Sequence, residues 1–309
     1  MPLIEKQTGE GFRLTNYEAY ENINGRLKNS GIDNSEFESL CIFEDIMGID
    51  RLSLAMNGRK TADENNYARA LDLAGRRING EPLQYLLGEW EFYGLRFRVG
   101  RGVLIPRPDT EILVDAVLSF FKERSKTDPE IIDLCSGSGC IAVALAKNMP
   151  QAKVSAVEIS SEAFPYLVEN IRRNNVSVKL YKGDVTDGRL LDNFLDEEDF
   201  GEYRKLDCVV SNPPYLTAKE MSELQTEVGF EPKIALDGGA DGLEFYRIIS
   251  CLWKEIIAPG GLIAFETGYE QGEAVSDILK NSGFENITVI KDFGGRNRVV
   301  TGIKIGNTE

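Results

Sequence analysis

Two periods of apolar residues divide the chain. Through the first eighty positions the spacing is helical: between Thr61 and Arg77, Ala62, Tyr67, Leu71 and the pair Leu73–Ala74 fall on one stripe. Ser35-Glu36-Phe37-Glu38 and Thr61-Ala62-Asp63-Glu64 each place a hydroxyl three residues before a carboxylate. That is the spacing of a capping box, so helices are expected to start at both. Gly31, Gly48 and Gly80 stand where C-terminal caps belong. From Gly88 the period becomes that of a strand. Trp90 and Phe92 alternate with Glu89 and Glu91; Leu95, Phe97 and Val99 alternate with Arg96 and Arg98; Gly94 lies between the runs, which predicts a β-hairpin.

Next comes Leu104-Ile-Pro-Arg-Pro-Asp-Thr-Glu111, with Asp109 or Thr110 placed to cap a helix running to about Arg124. Short apolar strands at 131–134, 154–157, 178–181, 208–211, 262–266, 287–290 and 299–303 then alternate with helical segments. That rhythm predicts an α/β, Rossmann-like fold, a mostly parallel sheet with helices on both faces. The expected organisation is a helical N-terminal domain over residues 1–84, a β-hairpin linker over 85–106 and an α/β domain over 107–309. The acidic stretch 187–205 reads as a solvated loop with a short helix. The helical domain carries no reactive cluster, so packing or partner docking is its expected role.

Composition narrows the chemistry. With 309 residues, two domains are expected, and 42% hydrophobic with 28% charged residues marks a globular chain. No apolar run is long enough for a bilayer, and the start MPLIEKQTGEGFRL lacks the basic and apolar regions of a signal peptide, so a cytoplasmic protein free of membrane is expected. Five scattered cysteines read as free thiols of a reducing compartment. The absence of histidine removes histidine metal sites and Ser-His-Asp triads, and no metal is expected. A net charge of −15 disfavours a broad footprint on a phosphate backbone, so direct nucleic-acid binding is not expected. A monomer is the expectation for assembly.

Ile131-Ile-Asp-Leu-Cys-Ser-Gly-Ser-Gly-Cys140 is a strand running through a glycine turn into a helix, where free amides and bare backbone can meet a ligand. Glu158 ends the next strand, where an acid can take both hydroxyls of a ribose. Together they predict an adenosine-containing cofactor, leaving a nicotinamide dinucleotide and S-adenosylmethionine both open. Asp184 and Val185, ending the third strand, are placed to meet an adenine amino group and ring.

Val209-Val-Ser-Asn-Pro-Pro-Tyr215 ends the fourth strand, on the edge where open α/β sheets bind ligands. Two prolines alone would be a rigid turn; Asn212 before them and Tyr215 after them need chemistry to explain. Methyl transfer from a sulfonium is an in-line displacement, and an amide nitrogen must be held close and oriented for it. The Asn212 side-chain oxygen and the Pro213 carbonyl can each accept one N–H of an NH2 group, meeting the charge that develops on nitrogen. Pro213 and Pro214 stiffen the loop, and Tyr215 offers a ring face to a planar amide or base. The residues leave a nucleobase and a glutamine amide open as targets.

Pro82-Leu-Gln-Tyr-Leu-Leu-Gly-Glu89, Phe92-Tyr-Gly94, Leu104–Glu111, Ser211–Tyr215, Glu231-Pro-Lys-Ile-Ala-Leu236, Gly238–Leu243, Glu266-Thr-Gly-Tyr-Glu-Gln271 and Asp292–Arg298 span nearly the whole chain. In these segments the sequence resembles the peptide chain release factor N(5)-glutamine methyltransferases, the HemK/PrmC family. The resemblance implies that residues 107–309 form a class I S-adenosylmethionine-dependent methyltransferase domain, giving S-adenosylhomocysteine as product. The substrate it implies is the glutamine of the Gly-Gly-Gln motif in class I release factors, docked by the helical domain. It further implies that Cys135, Ser136, Gly137, Ser138, Gly139, Glu158, Asp184, Val185 and Asn212 hold the cofactor. Asn212, Pro213, Pro214 and Tyr215 would frame the glutamine, with Asn212, Pro213 and Tyr215 acting in catalysis. Two positions depart from the family pattern: Cys135 stands for a glycine and Glu158 for an aspartate. A side chain at 135 fits if its φ is negative, and Glu158 reaches one methylene farther. Arg107 and Glu111 are expected to clamp the hairpin to the α/β domain, and Glu266 to shape the pocket. A glutamine methyltransferase of a ribosomal protein, a nucleic-acid adenine methyltransferase and a non-catalytic nucleotide-binding protein are the alternatives.

Overall fold

A computed structural model describes residues 14–195 and 205–306. The leader reading at the start of the chain and the 196–204 part of the acidic stretch lie outside the described residues. The chain forms two compact units that divide after Gly88.

The first unit is helical: α1 (Asn16–Asn29), α2 (Ser35–Met47), α3 (Arg51–Asn57), α4 (Glu64–Ile78) and α5 (Leu83–Leu87). α1, α2 and α4 pack on one another over Ala19, Ile23, Leu27, Ile42, Phe43, Ala70 and Ala74, all fully buried. Neither expected capping box forms. α2 is preceded by Asn34 and has no side-chain cap, because Glu38 crosses to α4, where Arg77 Nε donates to its Oε2 at 2.6 Å. α4 starts two residues late, capped by Asp63, whose Oδ1 accepts from Asn66 N at 2.8 Å. Thr61 is instead tied into a bridge with Thr15. A capping box does form at Thr15 and Glu18, with Thr15 N donating to Glu18 Oε2 at 2.9 Å. Gly48 ends α2 with φ 65°, and Gly31 and Gly80 also adopt positive φ. Because the Glu38 and Arg77 side chains are only 14% and 8% exposed, stripping one leaves the other charged and buried. Glu38→Ala is therefore expected to cost about 3 kcal/mol, read as loss of hydrogen-exchange protection in α1, α2 and α4.

The second unit opens with the hairpin, β1 (Glu89–Phe92) and β2 (Leu95–Arg98), in the register Trp90↔Phe97 and Phe92↔Leu95. Tyr93 (φ 54°) and Gly94 (φ 69°) supply the two left-handed residues that a tight turn matched to strand twist requires. The α/β layer follows as α6 (Glu111–Glu123), β3 (Glu130–Leu134), α7 (Cys140–Asn148), β4 (Lys153–Glu158), α8 (Phe164–Arg173), β5 (Val178–Lys182) and α9 (Gly188–Leu195). After the undescribed segment come β6 (Leu206–Ser211), α10 (Ala218–Ser222), α11 (Glu244–Leu252), β7 (Ile257–Glu266), α12 (Gly272–Asn281), β8 (Phe284–Lys291) and β9 (Asn297–Lys304). The sheet order is β5-β4-β3-β6-β7-β9-β8. β5, β4, β3, β6 and β7 run parallel; β9 pairs antiparallel with both β7 and β8.

Successive strand residues face opposite sides, so each strand feeds two cores. Ile131, Cys208 and Val210 meet Leu113, Val117 and Leu145 on one face; Ile132, Leu134 and Val209 meet Tyr246, Ile249 and Trp253 on the other. The chain steps outwards from β3 through β4 to β5 and then returns to β6 on the other side of β3, a reversal of strand order that opens a crevice at the carboxyl ends of β3 and β6. The sequence reading missed α11: no side chain caps it after Leu243, and it follows a glycine-rich run.

Candidate active site

Five parallel strands end on one edge and deliver the site. β3 runs into Cys135–Gly139, β4 ends at Glu158, β5 leads to Asp184–Val185, β6 to Asn212–Tyr215, and β7 ends at Glu266. A cavity of about 330 Å³ collects Cys135, Ser136, Gly137, Ser138, Glu158, Asp184, Val185, Asn212 and Pro214. Gly139 does not line it. Its backbone (φ 80°) makes the turn into α7, and a Cβ there would lie 2.4 Å from Leu167 Cδ1. Gly137 (φ 54°) has open space where a Cβ would sit, leaving bare backbone towards the cavity.

Cys135 corrects an expectation. Its φ is +61°, the left-handed region, not the negative value that would make a side chain comfortable. The Ser211 hydroxyl donates to Leu134 O at 2.6 Å, and burial keeps the Cys135 thiol protonated. Glu158 is 6% exposed, and burial raises its carboxyl above the usual range. Its Oε2 accepts from Gly137 N at 2.7 Å and its Oε1 from Ser160 N at 2.6 Å, which stitches β4 to the glycine loop. Each oxygen keeps a further lone pair for a hydroxyl, the donor pattern that a ribose diol presents. Asp184 Oδ1 is engaged by Thr186 N and Oγ1, at 2.8 and 2.7 Å. Trp253 Nε1 donates to Val185 O at 2.9 Å and holds that turn from below. The carboxylate pair sites, bare Gly137 and the apolar Val185 wall suit an adenosine sulfonium cofactor.

Asp133, overlooked in the sequence, lies wholly buried in β3 under this loop. Neither carboxyl oxygen has a hydrogen-bond partner among the described residues, the Ser136 hydroxyl being given to the Asp133 carbonyl at 2.8 Å. Burial pushes the carboxyl up to about 8. The folded unit therefore holds a proton that the unfolded chain releases near pH 4. Stability is full below that value and falls as pH rises towards about 8. Asp133→Asn is expected to flatten the stability–pH slope between about pH 5 and 8 by about 1.4 kcal/mol per pH unit, measured by urea unfolding.

The tetrapeptide is held from several sides. Gln271 Nε2 donates to Tyr215 O (2.9 Å) and to Gly242 O (3.2 Å), and Leu216 bridges to Asp237. A Cβ on Gly238 would lie 2.6 Å from Tyr215 Cα, and one on Gly242 2.4 Å from Tyr215 O, which explains the glycines of that run. Asn212 Nδ2 donates to Thr110 Oγ1 at 3.4 Å. A second cavity of about 550 Å³, lined by Asn212, Tyr215, Glu220, Glu223, Glu266 and Tyr269, adjoins the first through Leu104, Arg107, Asn212 and Ala235. Asn212 thus stands between a cofactor-shaped cavity and an acidic one.

Of the expected hairpin clamps, Glu111 is one: its Oε1 accepts from Tyr93 N at 2.7 Å. Arg107 instead pairs with buried Glu231, whose other oxygen accepts from Ile105 N at 3.0 Å, fastening the 104–107 segment to the loop before α11. Glu266 is 1% exposed and lines the second cavity. Among the described residues no three His, Cys, Asp or Glu side chains are grouped to hold a metal, and no helix is long and apolar enough to cross a membrane.

The strand order, the glycine loop and the acid ending the second parallel strand define a class I methyltransferase domain. Residues 110–229 match the "Methyltransferase small domain" family model, and residues 18–88 match the "PrmC N-terminal domain". The release factor glutamine methyltransferase of Thermodesulfovibrio yellowstonii is 41% identical over 257 residues, 82% of this chain and 88% of that protein. Its namesake in Geobacter sulfurreducens is 39% identical over 279 residues, 90% and 93% of the two chains. The hMettl16 catalytic domain, solved with the MAT2A 3′UTR hairpin 6, shares the fold alone, with a TM-score of 0.52 at 16% identity over 82% of this chain and 87% of that one. The chain belongs to the release factor glutamine methyltransferase family.

Proposed function

We propose that this chain methylates the side-chain amide nitrogen of the glutamine in the Gly-Gly-Gln motif of a class I release factor, using S-adenosylmethionine. The placement of Asn212 in the lining of both cavities, with Pro214 on the first, Tyr215 on the second and Pro213 on neither, carries this reading. When bound, the cofactor supplies an electrophilic methyl on a sulfonium. Glu158 and the Gly137 backbone would hold its ribose end, and Val185 would flank its adenine.

The remaining work falls to the chain's own groups. Asn212 Oδ1 and the Pro213 carbonyl each accept one N–H of the glutamine amide, which turns the nitrogen lone pair towards the methyl. Two acceptor dipoles then face the positive charge that grows on nitrogen. Buried Pro213 and Pro214 hold the loop ready, so little ordering entropy is spent on binding. Tyr215 covers the flat amide face. The methylated amide sheds its proton to water, so no general base is needed. Glycines beside the target let that loop extend into the second cavity, and residues 18–88 serve as the docking module for the release factor.

The test is a labelled-methyl assay with release factor, ribosomal protein and DNA as competing acceptors. Release factor alone should be labelled, and Gln→Ala in its Gly-Gly-Gln loop should abolish the label. Label in ribosomal protein or DNA would replace this reading.

A further inference from the structure

S-Adenosylmethionine is more than a ribose and a base. Its methionyl arm ends in a carboxylate, and an anion taken out of water needs a donor. The cavities are poor in them. The first is lined by Glu158, Asp184 and Glu244, and the second by Glu220, Glu223 and Glu266. Among the described residues a single Lys or Arg stands against these acids: Arg107, which lines both cavities.

A glycine loop that opens a helix is the ordinary seat for an anion. Here most of its amides are spent. Ser136 N donates to Val157 O at 3.0 Å and Gly139 N to Ser136 O at 2.7 Å. Gly137 N donates to Glu158 Oε2 at 2.7 Å, so a carboxyl of the chain already occupies the place an anion would use. Arg107 offers the opposite. One edge of its guanidinium is taken by Glu231, whose side chain is 1% exposed and whose other oxygen accepts from Ile105 N at 3.0 Å. That pair is the one hydrogen bond Arg107 makes among the described residues, and its side chain is 38% exposed. A guanidinium carries five N–H donors in a rigid fork, so a second edge is left for a planar, two-oxygen acceptor.

The location suits the arm. Arg107 and Asn212 both line the two cavities, so Arg107 stands at the end where the sulfonium must meet the substrate nitrogen. The methionyl arm leaves from that same sulfur, whereas ribose and adenine lead away from it towards Glu158 and Val185. We propose that Arg107, anchored by Glu231, binds the methionyl carboxylate of the cofactor. The assignment rests on the reading of the first cavity as the S-adenosylmethionine site. A hydrogen bond between two charged groups in a partly exposed position is worth about a tenfold change in affinity.

The test is calorimetry on the full chain with two probes, S-adenosylhomocysteine and its decarboxylated counterpart, which differ in that one group. Arg107→Met should bind S-adenosylhomocysteine about tenfold more weakly than wild type and the decarboxylated probe equally well. Because Arg107→Met leaves Glu231 buried and unpaired, the double variant Arg107→Met/Glu231→Gln is measured beside it. The double variant keeps an acceptor for Ile105 N, should show the same pattern, and decides the matter if the single variant fails to fold. In turnover, the KM for S-adenosylmethionine should rise about tenfold while the KM for release factor stays in place. Equal losses for both probes in the double variant overturn the proposal and mark Arg107 as part of the wall. Unchanged S-adenosylhomocysteine affinity beside a raised KM for release factor overturns it too, and gives Arg107 to the substrate. Wild-type protein that binds neither probe overturns the reading of the cavity itself.

Discussion

Asn212→Ala is expected to lower kcat by about 10²–10³-fold while leaving the unfolding midpoint of the methyltransferase unit nearly in place. The size follows from the removal of one preorganised acceptor facing developing charge in a site shielded from water. The small stability cost follows from the surroundings. Asn212 is only partly buried, and its one side-chain hydrogen bond among the described residues, to Thr110, is 3.4 Å long. Single-turnover rates with release factor, beside urea unfolding of the same preparation, measure both. A variant that turns over within a factor of about three of wild type would leave the tetrapeptide without its proposed chemistry.

Gly238→Ala carries the second large effect, although residue 238 touches no proposed reactant. The added methyl would lie 2.6 Å from Tyr215 Cα, 2.8 Å from Tyr215 C and 2.9 Å from Pro214 O. All three are backbone atoms, so relief requires the tetrapeptide itself to move. Displacing reacting groups by about 1 Å costs on the order of 100-fold in rate, and overpacking of this kind costs about 1–3 kcal/mol of stability. The variant should therefore lose about 100-fold in kcat while binding S-adenosylhomocysteine as wild type does, since the glycine loop and Glu158 stand on other strands. Calorimetry beside steady-state kinetics separates the two. Equal losses in both would mean that the Gly238 turn supports the whole edge and not the tetrapeptide.

Much of this site was legible before any coordinates. Strands buried on both faces must be apolar along their length, so Ile131–Leu134 and Cys208–Ser211 mark themselves, and the residues after them fall on the ligand edge. Glu158, Val185 and Asn212 fall on that edge by this reasoning, Cys135 came from the family resemblance, and the cavity collects all four. What stayed hidden depends on partners far away in sequence. Glu38 has the spacing of a capping carboxylate, yet its ion pair with Arg77 in α4 outcompetes the local bond. Arg107 looked like a hairpin clamp because its partner, Glu231, lies in a segment without strand or helix periodicity. The Cys135 backbone could not be read either: residue type gives a preference for φ, and the surrounding turn imposed the opposite sign. Thr110 offered a cap in the sequence and makes none, its hydroxyl accepting from Asn212 Nδ2 instead.

Asn170, on α8, ties together parts that the sequence keeps apart. Its side-chain oxygen accepts from Arg98 N at 2.6 Å, and its amide nitrogen donates to Arg98 O at 3.1 Å and to Ser138 O at 2.9 Å. One fully buried amide therefore grips the second hairpin strand and the cofactor loop at once. In mechanical terms the hairpin is a handle on the glycine loop. The chain enters the methyltransferase unit through that handle, so a pull on the strand is felt by the backbone that would cradle the cofactor.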